Sequence, residues 1–196
     1  MKRFLLFTFL LAGCHNSENT DDPQKRNATI PFILGQKSTV QVTPSSDMHV
    51  TLVNQAYEMM NSYLKTDFKK FVSKVYPGLV SKEGGENNMI FELKISSAGS
   101  KDGETSIDTM YAAGVHNIIN TGNQMQTTLS RITIVTVPDG KMITVSMLIA
   151  ISEDNGQNWS FLDANGRDIK SMKESFPELS DKLVLLPDGK PIYIRY

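Results

Sequence analysis

The sequence has a single cysteine, no excess of basic charge and no long hydrophobic run. A lone cysteine excludes an internal disulfide framework and any zinc site built from cysteines. With 20 Lys and Arg against 21 Asp and Glu, the chain lacks the positive charge that a general nucleic-acid binder uses to neutralise phosphates. No apolar run reaches the roughly 20 residues that a helix needs to cross a bilayer. The remaining composition, 196 residues of which 40% are hydrophobic, is typical of a globular protein with one core.

The first fourteen residues have the composition of an export signal. Lys2 and Arg3 are basic, residues 4–12 are apolar apart from Thr8, and Gly13 and Cys14 follow. A basic start, a short apolar centre and small residues at the end are typical of a secretory signal peptide. Nine residues are too few to span a bilayer, so we expect the segment to be removed rather than kept as an anchor.

The end of this segment, Leu11-Ala12-Gly13-Cys14, resembles the lipobox of bacterial lipoproteins at all four positions. The resemblance implies that Cys14 becomes the first mature residue and carries diacylglyceryl on its sulfur, usually with an acyl chain on its amine. A thiolate is the nucleophile that can form such a thioether, and two acyl chains suffice for stable anchoring at a membrane. The alternative is an ordinary signal peptide with a cysteine near its end.

These features predict three parts: a signal peptide (residues 1–13), a flexible tether (14–46) and a single domain (47–196). From residue 15 to residue 29 the only aliphatic side chain is that of Ala28, too little to offset the entropy of ordering this stretch. Loss of Lys2 and Arg3 with the signal leaves a mildly acidic mature chain. An Asp after the cysteine would resemble an inner-membrane retention signal, so His15 favours a lipid anchor in the outer membrane of the bacterial envelope.

Helical periodicity dominates the first part of the domain. Asp47 is a good N-cap, and the apolar residues that follow at helical spacing are Val53, Ala56, Tyr57, Met60, Tyr63 and Leu64. A second helix is predicted from Thr66, with its end at Pro77-Gly78. Residues 86–95 fit both a strand and a helix, and we favour the helix.

From residue 107 onward the pattern is that of strands. Strands are predicted over residues 107–115, 123–137 and 142–152, with a hairpin turn at Pro138-Asp139-Gly140. In the third strand one face is entirely apolar, so we expect it to lie against the helices; its residues are Ile143, Val145, Met147, Ile149 and Ile151. Apolar positions change phase within residues 123–137, which predicts a β-bulge near Ser130-Arg131. A turn at 154–156, a helix over 167–175 and a strand over 190–196 complete the chain.

Helices followed by an antiparallel sheet, with a late turn and strand reading Ser152-x-Asp154-x-Gly156-x-x-Trp159-x-Phe161, resemble the NTF2-like (cystatin-like) superfamily over residues 48–164. The resemblance implies an α+β fold in which N-terminal helices pack on a curved antiparallel sheet to form a cone. The superfamily includes isomerases and dehydratases that use an Asp or His inside the cone, and also members that only bind. No motif here fixes a catalytic pair, so no catalytic residue is assigned.

Two residues are candidates for contact with a ligand. His116 is the only histidine in the sheet half, and histidine is a common general base, although a hydrated histidine at a strand end is the alternative. Trp159 could stack on a ligand or fill the core. His15, His49 and His116 have no recognised metal-ligand spacing, and Asp154 lies in a turn that lacks the later ligands of a calcium loop. No metal or cofactor is therefore expected.

These observations favour a membrane-anchored lipoprotein that binds a small ligand or an envelope protein without catalysis. One alternative is a small-molecule isomerase or hydratase with its site inside the cone. Another is an assembly or inhibitor lipoprotein that presents the sheet face of Thr144 and Ser146 to another protein. The expected partners are the membrane, through lipid on Cys14, an envelope protein or small ligand, and a second copy through the sheet, but not nucleic acid.

Overall fold

In the computed structural model, which describes residues 45–99 and 105–196, four helices come first and a sheet follows. The helices are α1 (Ser45–Leu64), α2 (Phe68–Val72), α3 (Pro77–Lys82), α4 (Glu86–Gly99) and α5 (Ile169–Ser175). The strands are β1 (Ser106–Ala113), β2 (Ile119–Asn120), β3 (Met125–Val137), β4 (Gly140–Ser152), β5 (Ser160–Asp163) and β6 (Ile192–Arg195). The signal peptide, Cys14 and nearly all of the predicted tether lie outside the described residues.

Helix α1 buries a slightly different stripe from the predicted one. The buried apolar residues are Leu52, Ala56, Met59 and Met60, which recur at i, i+4, i+7 and i+8. Tyr57, predicted to face the core, is more than half exposed. The helix is therefore confirmed, but its buried face is rotated away from Tyr57.

The boundaries of the next helices differ from the sequence prediction for local reasons. Asp67, not Thr66, caps α2: its carboxylate accepts a hydrogen bond from the backbone N–H of Lys70 at 3.1 Å, and Thr66 adopts a left-handed φ of 57°. Helix α2 ends at Val72, and Pro77 opens α3 instead of ending α2, because proline suits the first turn of a helix.

Residues 86–95 are helical, as favoured from the sequence. They form most of α4, whose Met89 and Leu93 are buried while Phe91 and Ile95 are more than half exposed. The apolar residues of this segment therefore alternate as in a strand without forming one.

The sheet is open and antiparallel, in the order β1-β3-β4-β5, with β2 beside β3 and β6 beside β4. The hairpin of β3 and β4 closes at Pro138-Asp139, as predicted, and its register runs without a shift from Met125↔Ser152 to Val137↔Gly140. The predicted bulge near Ser130-Arg131 is wrong. The irregularity lies in β1 instead, between Ile107 and Thr109.

One surface of the sheet, called here the helix face, lies on the side of α1. Leu129 and Leu148 are opposite each other on this face and are almost fully buried. Helix α1 packs against β1, and Tyr63 in its last turn is close enough to Arg131 of β3 for the guanidinium to act on its phenol. Nearer the middle of α1, the amide oxygen of Gln55 accepts a hydrogen bond from the backbone N–H of Trp159 at 2.9 Å.

The other surface, called here the tail face, is covered by the C-terminal part of the chain. Ile149 and Ile151 of β4 form a buried cluster with residues of α5 and of the segment after it: Met172, Phe176, Leu179 and Leu183. The C-terminal part of the chain therefore covers much of the face that was predicted to lie against the N-terminal helices, although Tyr76 and Leu79, at the start of α3, also pack on this cluster. Leu148 and Ala150, on the helix face, are equally buried, so the second half of β4 has a core on both sides.

Buried polar contacts tie the C-terminal segment to β3. The side chain of Gln126 is fully buried; its amide nitrogen donates to the carbonyl of Glu178 at 3.0 Å, and its amide oxygen accepts from the N–H of Ser180 at 2.8 Å. The hydroxyl of Thr128 donates to the carbonyl of Val184 at 2.8 Å. These contacts fix the position at which the segment crosses the tail face.

Candidate functional site

The first half of the tail face, near the β3–β4 turn, carries a continuous apolar surface that the C-terminal segment does not cover. We call it the apolar patch; its residues, drawn from β1, β3, β4 and β6, are Tyr111, Ile132, Ile134, Ile143, Val145, Ile192 and Ile194. Among them Tyr111 is 40% exposed, Val145 37% and Ile192 60%. The patch therefore presents large aliphatic and aromatic side chains to solvent across four strands.

The register of the strands explains why these side chains form one surface. Ile132 pairs with Val145 in one cross-strand row, and Ile134 pairs with Ile143, which in turn pairs with Ile192. Directly paired residues project from the same face of a sheet. Strands about 4.8 Å apart and residues about 3.4 Å apart along each strand give the patch a flat area of roughly 400 Å². The largest exposed apolar patches of monomers are of this size and are often functional.

A charged pair borders the patch near the β3–β4 turn. The ammonium of Lys141 lies 3.0 Å from the carboxylate of Asp108, which also accepts a hydrogen bond from the hydroxyl of Thr136 at 2.8 Å. The hydrogen bond from Lys141, aided by that from Thr136, lowers the pKa of Asp108 below its ordinary value. An apolar centre with a polar border is the usual anatomy of a protein-binding surface.

The face of Thr144 and Ser146, which the sequence analysis considered as a partner-binding surface, lies on the opposite side of the sheet from the apolar patch. Both residues lie on the helix face and are half-buried, and Ser146 pairs with Arg131. Val145, between them, is the residue that reaches the exposed surface. Binding through the face of Thr144 and Ser146 stays a prediction; the apolar patch is on the other face, because neighbouring residues of a strand point to opposite faces.

A second group of interest, called here the charged cluster, lies on the helix face. Arg131 and Asp163 form an ion pair of 2.6 Å, with side chains only 12% and 14% exposed. The carboxyl group of Asp188 packs against Gly166, where any Cβ would lie 3.1 Å from its oxygen. Burial of this carboxyl and the charge of Asp163 raise the pKa of Asp188, while Arg131 opposes the change. Burial also raises the pKa of the Tyr63 phenol nearby.

His116 helps to hold the C-terminal segment rather than forming an obvious catalytic group. Its Nδ1 lies 2.9 Å from the hydroxyl of Thr128, and its backbone N–H donates to the carbonyl of Thr128 at 2.8 Å. Since the hydroxyl proton of Thr128 is donated to the carbonyl of Val184, the hydroxyl oxygen accepts a hydrogen bond from the Nδ1–H of His116. His116 is thus linked to the β3 residue that binds the C-terminal segment.

Trp159 belongs to the core. It is 2% exposed, and its indole N–H donates to the carbonyl of Gly156 at 3.0 Å. The turn before it is closed by its own hydrogen bonds: Asp154 accepts from the backbone and the side chain of Asn158, which lowers the pKa of this carboxyl. The tryptophan therefore has no free face for a ligand, and both oxygens of Asp154 are used within the turn.

A shallow groove of about 340 Å³ lies between α2, α3 and the start of α4. Val72, Val75 and Val80 contribute apolar side chains to its wall, and Ser81 and Glu86 stand at its border. It is separate from the apolar patch and from the charged cluster. No group of three His, Cys, Asp or Glu side chains in the described part of the chain is placed to hold a metal ion.

The lipid-attachment residue Cys14 lies outside the described residues, so its role stays a prediction. Within residues 45–99 and 105–196, no helix combines the length and the apolar character needed to cross a membrane. Comparisons of the chain with protein-family models, curated proteins and solved structures return no match. The case for a function therefore depends on the patch, the cluster and the sequence motifs of this chain.

Proposed function

We propose that this protein is a lipid-anchored lipoprotein of the bacterial cell envelope that binds another protein through the apolar patch. The observation that carries the proposal is the exposure of Val145 and its neighbours across four paired strands of the sheet. Solvent exposure of such a surface is unfavourable by roughly 25 cal/mol per Å² of apolar area, so its burial against a partner would be favourable. The lipobox at Leu11-Ala12-Gly13-Cys14 supports the anchor.

Within this proposal the domain is NTF2-like. Support comes from the order of the elements, with helices before an antiparallel sheet, and from the Ser152-to-Phe161 turn and strand, in which Trp159 is buried. Helix α5 and strand β6 are additions to that plan. They cover one half of the tail face and widen the other, so in this chain the additions shape the binding surface.

A photo-crosslinking amino acid at position 145, introduced into the full-length protein in its native host, tests the binding proposal. We expect position 145 and position 192, which lies on the same patch, each to give a crosslinked adduct that contains a protein other than a second copy of this chain. Position 69, exposed on α2, is the matched control and should give none. The absence of any such adduct at both patch positions, with normal expression, would contradict binding through this surface.

The charged cluster supports a second candidate function, a small-molecule isomerase or hydratase. Asp188 has a raised pKa and lies beside the Arg131–Asp163 pair on the helix face, where a cone would hold its substrate. A carboxyl with a raised pKa is suited to proton transfer. Complementation of a deletion strain by Asp188→Asn and by His116→Ala separates the candidates. Complete loss of function without a fall in melting temperature would favour the enzyme, whereas a partner-binding protein keeps its function.

A further inference from the structure

Strand β6 forms an edge of the sheet, and its backbone N–H and C=O groups on the side away from β4 are not paired with another described strand. It pairs with β4 alone: within the described residues no strand lies along its other side. The backbone N–H of Tyr196 donates to Asp139, and the carbonyl of Ile194 points at Gly140 of β4. Since bonding direction alternates along an antiparallel pair, Ile192 and Ile194 bond to β4. Tyr193 and Arg195 therefore direct their N–H groups outward.

The opposite edge of the sheet, strand β1, is protected against pairing with a further strand, whereas β6 is less protected. Strand β1 has a register shift at Asp108, whose charged side chain is held there by Lys141. A bulge and a charge are common means of preventing strands from pairing at an edge. Strand β6 has neither in its centre, and its Ile192, Tyr193 and Ile194 are all about half exposed or more. Edge pairing is thus favoured at β6.

We propose that β6 pairs antiparallel with β6 of a second copy, centred on Tyr193. In this register the N–H of each Tyr193 donates to the carbonyl of the other, and the N–H of each Arg195 donates to the carbonyl of Pro191 in the second copy. Every outward N–H of the strand is used. Pro191, which also points outward, has no N–H to leave unpaired. The edge is therefore complementary to itself about a two-fold axis.

The side chains suit the same register. Ile192 stands opposite Ile194 of the second copy on the tail face, and the two Tyr193 rings meet on the helix face. Aromatic and β-branched cross-strand pairs are among the most stabilising in sheets. The apolar patches of the two copies then become one surface across the dimer. The hydrogen-bonding groups and side chains of β6 complement those of a second β6, and nothing in the chain provides the same fit for a strand of another protein. A second copy is therefore the preferred partner of this edge.

The contact is small, so the dimer forms in a concentration-dependent equilibrium, as interfaces below about 1,200 Å² usually do. Disulfide trapping in the full chain with Cys14→Ser tests the register. Tyr193→Cys brings two Cα atoms to about 5.5 Å, within the range for a disulfide. Ile192→Cys and Ile194→Cys place theirs about 8 Å apart, beyond it. We expect a disulfide-linked dimer from Tyr193→Cys and none from the other two.

Sedimentation of the protein with Tyr193→Pro provides a second readout. This change removes an outward N–H without removing a bond to β4, so dimerisation should weaken on the order of tenfold or more. An unchanged dimer, a disulfide from Ile194→Cys, or a single monomeric species with no disulfide from Tyr193→Cys would overturn the proposal. None of these results bears on adducts formed with another protein at position 145, so the edge and the patch can fail separately.

Discussion

At the scale of single residues, Asp163 and Asp188 are neighbouring carboxylates with different surroundings. Asp163 is paired with Arg131 at 2.6 Å, whereas Asp188 is partly buried beside that pair. Neither difference can be read from the sequence, since the two aspartates are 25 positions apart and only the folded sheet edge brings them together. From the sequence alone, the two are acidic residues near the end of the chain, with no assigned role.

Asp188→Asn should stabilise the protein at neutral pH. A folded-state pKa raised above the ordinary 3.8 means that ionised Asp188 costs stability at pH 7, and the amide removes that cost. The gain in melting temperature should disappear as the pH falls below about 4, where the carboxyl is protonated in both states. Asp163→Asn is the contrast: it removes the largely solvent-shielded 2.6 Å ion pair with Arg131 and should lower the free energy of unfolding by about 3 kcal/mol at pH 7. A lower melting temperature for Asp188→Asn at pH 7 would contradict this assignment.

Gly140→Ala should loosen β6, because a Cβ at this position would overlap the carbonyl oxygen of Ile194. Forcing extra volume into a tight contact typically costs about 1 to 3 kcal/mol, measured here by urea unfolding. Gly189→Ala is the matched control, since nothing lies within 4 Å of its added Cβ. Equal effects of the two substitutions would mean that β6 does not pack against the turn as described.

At the scale of elements, periodicity within a strand predicts which residues share a face but not what covers that face. The β3–β4 hairpin, its turn and α4 were predicted correctly because their signals are local. The covering of Ile149 by Leu179 and Leu183 depends on contacts about 30 residues away in sequence, so it was missed. The apparent phase change between Leu129 and Ile132 has the same origin: Leu129 meets the helix face and Ile132 the patch, in a strand without a bulge.

Ile149→Ala and Ile143→Ala compare the same substitution on the same face of β4. Ile149 is fully buried under the C-terminal segment, whereas Ile143 lies in the apolar patch. Truncation of a buried isoleucine costs about 2 to 5 kcal/mol, and the loss at Ile143 should be clearly smaller. The free energies of unfolding in urea provide the comparison. A larger loss at Ile143 would mean that the patch is covered and the second half of the strand is not.

At the scale of the whole molecule, the proposed function combines a lipid anchor on Cys14 with partner binding through the apolar patch. The anchor was proposed from four residues of sequence, the α+β class with an antiparallel sheet was predicted from periodicity and confirmed, and the surface emerged only from the structure. Its position depends on β6, which was predicted from the sequence as a strand over 190–196 but without its pairing to β4. The location of the patch therefore could not be predicted from local periodicity.

Cys14→Ser should abolish the anchor, since this is the only sulfur that could carry the diacylglyceryl group. Labelling of cells with radioactive palmitate should mark the wild type and not the variant, and the variant should leave the detergent-extracted membrane fraction. Equal labelling of the two proteins would contradict the lipoprotein assignment.

The most direct test of partner binding is complementation by Val145→Glu, with Val145→Thr as the control of similar shape. A charge at the centre of the patch would oppose burial against an apolar partner but would remain hydrated in the free protein, because Val145 is exposed. At equal expression and membrane localisation, the account predicts that Val145→Glu fails to restore function to a deletion strain, whereas Val145→Thr restores it. Full complementation by Val145→Glu would contradict the proposal that the apolar patch binds the partner.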